Sequence, residues 1–531
     1  MPPPPEERPI ASVADLLADN TLLLLFLCLA AGSAAGMAAW HGYMLGPAAV
    51  LFTALALSAW DERLVLPPVL GQFGLAVFAY CVGAGSGSAF FGALRTSLRL
   101  ILGVGAVLAG LAAVTWAVGD VLGLRQGVIA GVYAGALTNT PALAAATEEL
   151  DGAAGPTVGY SVTYTGGVVL MLLAAAWALR AREREAAGDD DLPDPIMNAT
   201  VLVTREGLPP LAELGHGAVV FSRIHRDGEL SVPSPDTRLR AGDMVAVIGR
   251  PADVTALAEG IGRPAPDHLP LDRHQLDMRR MTISSRGLSG LTVAQLGLGH
   301  FGAVASRVRR GDVDLLATHD LVVQQGDRIR VIAPRERLAQ VARHLGDSER
   351  GPADLNAVGL ALGLTLGILL GLVPLPSPVG GTFEIGLAAG PLVAGLVLGR
   401  QIRSGPIVWA VPYTASIVLQ QLGLLIFLAY AGSNAGGALA DALGGTEWLR
   451  ILALGTLVTA LAAGGLLVVT RRLGVHGPRL AGVIAGAQTQ PAVLAFAQER
   501  SPDQRVGLGY ALIVPAAMIV KILAAQMIVL V

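Results

Sequence analysis

The sequence predicts an α-helical polytopic membrane protein: an inverted repeat of two five-helix bundles, each with a re-entrant or broken hairpin, plus two small α+β cytoplasmic domains. Three observations predict it. Of the 531 residues, 53% are hydrophobic and only 15% charged, with a mean hydropathy of +0.60. Charge is concentrated in residues 181–354, which hold 22 of the 37 basic and 25 of the 40 acidic residues. Six apolar stretches on one side of that region share motifs, in the same order, with six on the other side. This composition excludes a disordered chain, a nucleic-acid-binding protein and a wholly soluble enzyme. The net charge of -3 offers no long-range steering of a charged partner.

A helix needs about 20 mostly apolar residues to cross the hydrocarbon core. Residues 20–39, 45–60, 66–84, 100–119, 126–147 and 157–179 supply the first set of candidates, and 355–373, 384–399, 408–430, 449–470, 480–497 and 507–531 the second. The first run is read as a retained helix and not as a cleaved signal, because Glu6, Glu7, Asp15 and Asp19 outnumber Arg8 before it. GPAAV at 46–50 corresponds to GPLVA at 390–394, and LGQFGLAVFAYCVG at 70–83 to LQQLGLLIFLAYAG at 419–432. GVYAGALTNTPALAAA at 131–146 corresponds to GVIAGAQTQPAVLAFA at 482–497 with a one-residue gap, and Gly159-Tyr160 to Gly509-Tyr510. An internal repeat of this kind is a frequent build of secondary transporters.

Arginine placement sets the orientation, since Arg-rich loops stay cytoplasmic. Arg95, Arg99, Arg180, Arg182 and Arg184 read as inside in the first half, as do Arg400, Arg403, Arg471, Arg472 and Arg479 in the second. Asp61-Glu62, Glu148-Glu149, Asp151, Asp441 and Glu447 read as outside. These assignments agree only if one segment per half turns back. Segments 126–147 and 480–497 are the ones chosen, because each is Gly-rich with a proline directly after a polar triplet. Five crossings per half, inverted repeats and both termini outside follow; a broken helix that crosses fully is the rival.

Between the halves, residues 181–195 form a hydrophilic linker. TRLRAGDMVAVIG at 237–249 then corresponds to LVVQQGDRIRVIA at 321–333, and GAVVFSRIHRDG at 217–228 to GAVASRVRRGD at 302–312. Alternating β-branched runs around Gly-Asp turns, each followed by a helical stretch, predict two α+β modules. The domain limits are 1–180 for membrane repeat one, 196–263 and 278–347 for the modules, and 354–531 for membrane repeat two.

Little enzyme chemistry is on offer. Cys28 and Cys81 lie singly in apolar runs, which supplies neither a disulfide framework nor a metal site. The GxGxxG at Gly297–Gly302 is preceded by a helical and followed by a strand-like segment, the reverse of a dinucleotide-binding turn, and is read as a turn. No cofactor is expected. The polar runs Thr138-Asn139-Thr140 before Pro141 and Gln488-Thr489-Gln490 before Pro491 are another matter. In lipid such residues are costly unless they face water, a ligand or another helix, and unwound half-helices bind anions at their N-termini and cations at freed carbonyls. Lys521, the only lysine in the chain, lies ten residues from the end of an apolar segment and is expected to pair with a carboxylate or to titrate. Tyr160 is added as a candidate in the helix after the first hairpin. The substrate-binding set is therefore Thr138, Asn139, Thr140, Pro141, Tyr160, Gln488, Thr489, Gln490, Pro491 and Lys521.

With GALTNTPAL paired to GAQTQPAVL, paired GLxxF helices and tandem Gly-Asp modules, nearly the whole chain resembles the aspartate:alanine exchanger family. Members of that family place five membrane helices on either side of two domains like the C-terminal subdomain of potassium-conductance regulators. The resemblance implies a homodimeric, multi-pass antiporter of the bacterial inner membrane that exchanges amino acids or small carboxylates, such as aspartate and alanine, by alternating access. It implies no enzyme activity and no nucleic-acid partner. The alternative carried beside it is a ligand-gated potassium or proton pathway regulated by the cytoplasmic pair.

Overall fold

The structure is a computed structural model that describes residues 13–37, 46–180, 196–265, 269, 275–310, 313–348, 356–376, 382–501, 503 and 505–531. The linker at 181–195 and residues 1–12, with Glu6, Glu7 and Arg8, lie outside these residues. Two compact units emerge, one of residues 1–190, 361–400 and 417–531, the other of 191–360 and 401–416.

The first unit is helical. Its first half comprises α1 (Val13–Asp19), α2 (Thr21–Met37), α3 (Ala48–Trp60), α4 (Pro68–Thr96), α5 (Leu98–Val121), α6 (Gln126–Ala136), α7 (Thr140–Glu149) and α8 (Gly155–Arg180). The second unit contains β1 (Met197–Val203), β2 (Val219–Arg226), β3 (Glu229–Ser231), β4 (Met244–Gly249), α9 (Pro251–Ile261), β5 (Gly262–Pro264), β6 (Leu276–Thr282), β7 (Val304–Arg310), β8 (Val313–Leu316), β9 (Arg328–Pro334) and α10 (Leu338–Leu345). The chain then continues through α11 (Ala357–Gly371), α12 (Gly386–Gln401), α13 (Tyr413–Ser433), α14 (Gly436–Gly444), α15 (Glu447–Arg472), α16 (Gly477–Gln488), α17 (Pro491–Arg500) and α18 (Arg505–Leu530).

Among the described residues, six helices are long and apolar enough to cross a membrane by themselves: α4, α5, α8, α13, α15 and α18. The pair α1 and α2, bent by 112°, makes a seventh if it counts as one span. Two candidate crossings, α3 and α11, are shorter than the sequence suggested, and α12 is as long as its run but begins and ends two residues later. The 13 residues of α3 cover only about 20 Å at 1.5 Å per residue, and α11 and α12 have 15 and 16. Turn-forming Gly46-Pro47 trims α3 at its start, while short β-hairpin pairing of Pro374–Pro376 with Thr382–Glu384 takes up the chain between α11 and α12. In the other direction, α4 runs on to Thr96, past the limit at residue 84 read from hydropathy.

Glycines let the two halves interlock. A Cβ on Gly83 would meet the Leu392 carbonyl oxygen of α12, and one on Gly395 the Tyr80 carbonyl oxygen of α4. Gly432, at the end of α13, meets Leu51 of α3 in the corresponding way. Gly74 of α4 and Gly423 of α13, which correspond in the repeat, each lie against the other's carbonyl oxygen. Such backbone-to-backbone approaches are how small residues bring membrane helices together where no hydrophobic effect drives them.

In the second unit each module is an antiparallel sheet with one helix. The strand orders are β3-β2-β4-β1-β5 and β6-β9-β7-β8, so β1, β2, β3 and β4 correspond to β6, β7, β8 and β9. Both carry a register shift at the same place, between Phe221 and Arg223 and between Ala305 and Arg307. Both also hold their Gly-Asp turn in one way. Asp243 accepts from Arg226 Nε and Nη2 at 2.8 and 2.7 Å and from the Arg240 amide at 2.7 Å. Asp327 accepts from Arg310 at 2.9 and 2.7 Å and from the Gln324 amide at 2.8 Å. The Gly297–Gly302 motif holds one 3-10 turn (Leu298–Phe301), set off by Gly297 from another at Ala294–Leu296, with left-handed backbone at Gly297 and Gly302 and β7 following, an order no dinucleotide site uses.

Burial alone would raise the Asp243 carboxyl, but the hydrogen bonds from Arg226 and Arg240 outweigh it and hold the group below its ordinary range. A depressed folded value means that this contribution is complete above the unfolded carboxylate value of about 3.9 and is lost as pH falls through the lower folded value. Asp243→Asn therefore is expected to weaken β2 and β4 by on the order of 2 kcal/mol at pH 7. Amide exchange of those strands in the full chain reads the loss, and the difference between variant and wild type should shrink below pH 4.

Candidate functional site

The break in the first hairpin follows from Pro141. Proline lacks an amide hydrogen and its ring clashes with the carbonyl four residues earlier, here that of Leu137, so α6 cannot continue through it. It ends at Ala136, Leu137 caps it, Thr138 turns left-handed at φ +49, and Asn139 starts α7 by accepting from the Ala142 amide at 2.7 Å. The second hairpin repeats the device. Gln488 ends α16, Thr489 is left-handed at φ +56, and the Gln490 side chain caps α17 at the Ala492 amide, 3.4 Å away. Pro491 is the first residue of α17. A β-branched residue at positive φ is a genuine outlier that costs on the order of 1–3 kcal/mol. Each hairpin has one, at matched positions, which marks both breaks as imposed by their surroundings.

The two breaks meet. Thr138 Oγ1 donates to the Gln488 carbonyl at 2.8 Å, and Asn139 Nδ2 donates to Thr489 Oγ1 at 3.0 Å. The Thr489 hydroxyl gives its own proton to the Gln488 carbonyl at 2.6 Å. Gln488 Nε2 donates to the Ala136 carbonyl at 2.9 Å, which also accepts from Thr459 at 3.1 Å. Lys521 Nζ, carried by α18, donates to Thr489 Oγ1 at 3.0 Å and to the Leu137 carbonyl at 3.2 Å. Around this knot Thr140 Oγ1 lies 3.1 Å from Tyr160 OH, and Gln490 Nε2 donates to Tyr164 OH at 2.8 Å. Asn139, Gln488, Tyr160 and Lys521 are all 0% exposed.

Eight of the ten candidate residues thus take part through side-chain hydrogen bonds in and around this one place, and Pro141 and Pro491 stand at the starts of the helices that follow the two breaks. One of the two alternatives expected for Lys521 is corrected. Lys521 does not pair with a carboxylate among the described residues; its partners are a carbonyl and a hydroxyl. The physical reason is that the helix breaks free carbonyl oxygens at this depth, which receive an ammonium without adding a second charge. Sequence reading also omitted the carbonyls of Ala136 and Leu137, which no side chain announces, and Thr459, one of three threonines in α15 with nothing in the sequence to set it apart.

Two valences remain open. An ammonium has three donors, and two are used. Gln488 Oε1 is buried and has no hydrogen-bond partner among the described residues. Its orientation is fixed, because only Nε2 can serve the Ala136 carbonyl. The site thus offers one nitrogen donor and one acceptor, both beside the N-terminal ends of α7 and α17, whose dipoles favour negative charge.

Residues 24–180 and 359–530 match the family model described as a predicted permease membrane region, and residues 278–346 match the TrkA-C domain. Among curated relatives, an uncharacterized transporter of Geobacter sulfurreducens is 37% identical, with 96% of this chain and 98% of the relative covered. One of Symbiobacterium thermophilum is 40% identical over 97% and 99%, and one of Corynebacterium diphtheriae 36% identical over 98% and 95%. No solved structure matches. The matched segments are the two helical halves and the second α+β module, so this chain belongs to the aspartate:alanine exchanger family and is a multi-pass membrane protein of the transporter class.

Proposed function

We propose that the protein is an antiporter of the bacterial inner membrane that exchanges amino acids or small carboxylates, such as aspartate and alanine, by alternating access. The observation that carries this reading is the meeting of two broken helices, one from each repeat, over the buried ammonium of Lys521. An α-amino acid fits the open valences: its carboxylate takes the third Lys521 donor, and its ammonium takes Gln488 Oε1. Cargo would enter where Thr138 now touches Gln488 and Asn139 touches Thr489, replacing those bonds with its own.

In this proposal the repeats are inverted, with both termini outside and the α+β modules in the cytoplasm. The reciprocal packing of α4 on α12 and α13 on α3, with Gly74 against Gly423, supports a two-fold relation between the halves. The hairpins, with α8 and α18, move against a scaffold of the remaining helices, and the modules serve dimerisation or regulation. Transport, and not catalysis, is the chemistry such a site performs.

Counterflow in proteoliposomes tests it. Vesicles loaded with alanine are expected to take up labelled aspartate several-fold faster than empty vesicles. Equal uptake by loaded and empty vesicles, or potassium currents in place of counterflow, would point to the gated pathway and remove the exchanger reading.

A further inference from the structure

Lys521 Nζ sits where a broken membrane helix concentrates partial negative charge. Leu137 caps the C-terminal end of α6, where the aligned peptide dipoles of a helix place about half a negative charge. In transporters built on broken helices, such carbonyl ends coordinate alkali cations. Here the Leu137 carbonyl and the Thr489 hydroxyl converge on one point, and the ammonium of the same chain occupies it at 3.2 and 3.0 Å. The Thr489 proton is committed to the Gln488 carbonyl, so its oxygen faces Nζ as an acceptor, the role it would take toward a metal cation. The offset of 350 that matches Tyr160 with Tyr510 places Met171 opposite Lys521 in repeat one. Met171 is 0% exposed and neutral, so the chain carries this positive charge once.

We propose that Lys521 is a tethered substitute for a coupling cation: its ammonium fills the coordination point that the broken helices create, and the protein moves its anionic cargo without an alkali ion. This rests on the site assignment under the proposed function. The charge that neutralises the carboxylate then belongs to the protein and stays when the cargo leaves. One consequence is that removing the side chain opens a place for a free cation.

The test uses the full chain in proteoliposomes, labelled aspartate, and Na+, K+ or N-methylglucamine as the sole monovalent cation. Wild type is expected to exchange at the same rate, within about twofold, in all three. Lys521→Ala loses at least about tenfold in N-methylglucamine and recovers severalfold with Na+, ammonium or methylammonium. Lys521→Met, which fills the space with the neutral side chain found at Met171, loses as much and does not recover. Independently of aspartate, NaCl in place of choline chloride raises the melting temperature of Lys521→Ala and leaves wild type unchanged.

Wild-type exchange that requires Na+ or K+ overturns the proposal. So does a Lys521→Ala protein that neither recovers transport nor gains stability with any of these ions; that outcome leaves the site assignment standing. Exchange at the wild-type rate by both Lys521 variants in every buffer would overturn the site assignment as well. If Lys521→Ala does not fold, the cation dependence of the wild type still decides.

Discussion

Valine at Gly131 or Gly482 is expected to abolish folded protein. A Cβ on Gly131 would lie 2.0 Å from the Pro156 carbonyl oxygen, and one on Gly482 2.0 Å from the Val506 carbonyl oxygen. The obstructing atom is backbone at the start of α8 or α18, so no rotamer change relieves the clash. The two helices of each pair must separate, and with them the contacts of Gly135 with Tyr160 and of Gly486 with Tyr510 one turn further along. Ordinary overpacking costs about 1–3 kcal/mol, and a rigid neighbour at this distance puts the cost above that range. Detergent extracts run on size-exclusion chromatography should show aggregate in place of a single peak, and alanine at either position should already lower the melting temperature by several degrees. Gly110→Ala is the control: a Cβ there meets nothing within 4 Å. If Gly131→Ala melted like Gly110→Ala, the close approach of α6 and α8 would be wrong.

Those same glycines explain what could be read in advance. The spacing Gly131, Gly135 and Gly482, Gly486 recurs because two half-helices are packed alike, and the proline after each polar triplet announces a break that no tertiary contact can remove. Residue type therefore located the hairpins and most of the polar knot. Helix length was less legible, since hydropathy does not distinguish a helix from the apolar chain that flanks it. This is why α3 and α11 are shorter than their apolar runs, and why α4 extends past the limit at residue 84. The bend between α1 and α2 was hidden for a related reason. Asn20 turns its amide back to the Leu16 carbonyl at 2.8 Å, a local bond that a single polar residue does not advertise. The partner of Lys521 was misjudged because a sequence shows carboxylates and conceals carbonyls.

Replacing Thr489 by valine is expected to cut aspartate counterflow by about 10- to 100-fold with the amount of folded protein little changed. The Thr489 hydroxyl takes three bonds at once: it accepts from Asn139 and Lys521 and donates to the Gln488 carbonyl. Valine keeps the shape and the β-branch and removes all three. Asn139 and Lys521, both 0% exposed, would each lose a partner, and an unsatisfied buried donor costs about 1–3 kcal/mol, more when charged. Because the same hydroxyl ties both hairpins to α18, the loss falls on their relative placement, which transport requires, and less on either helix pair by itself. Thr489→Ser restores the hydroxyl and should return most of the rate. Asn139→Ala should do less further harm in the Thr489→Val background than in wild type, because the bond that it removes is already gone, and groups in one network are not additive. Equal counterflow by Thr489→Val and wild type, at matched protein, would mean that the contact between the hairpin tips does not bear on transport, and the candidate site would have to be sought elsewhere in the bundle.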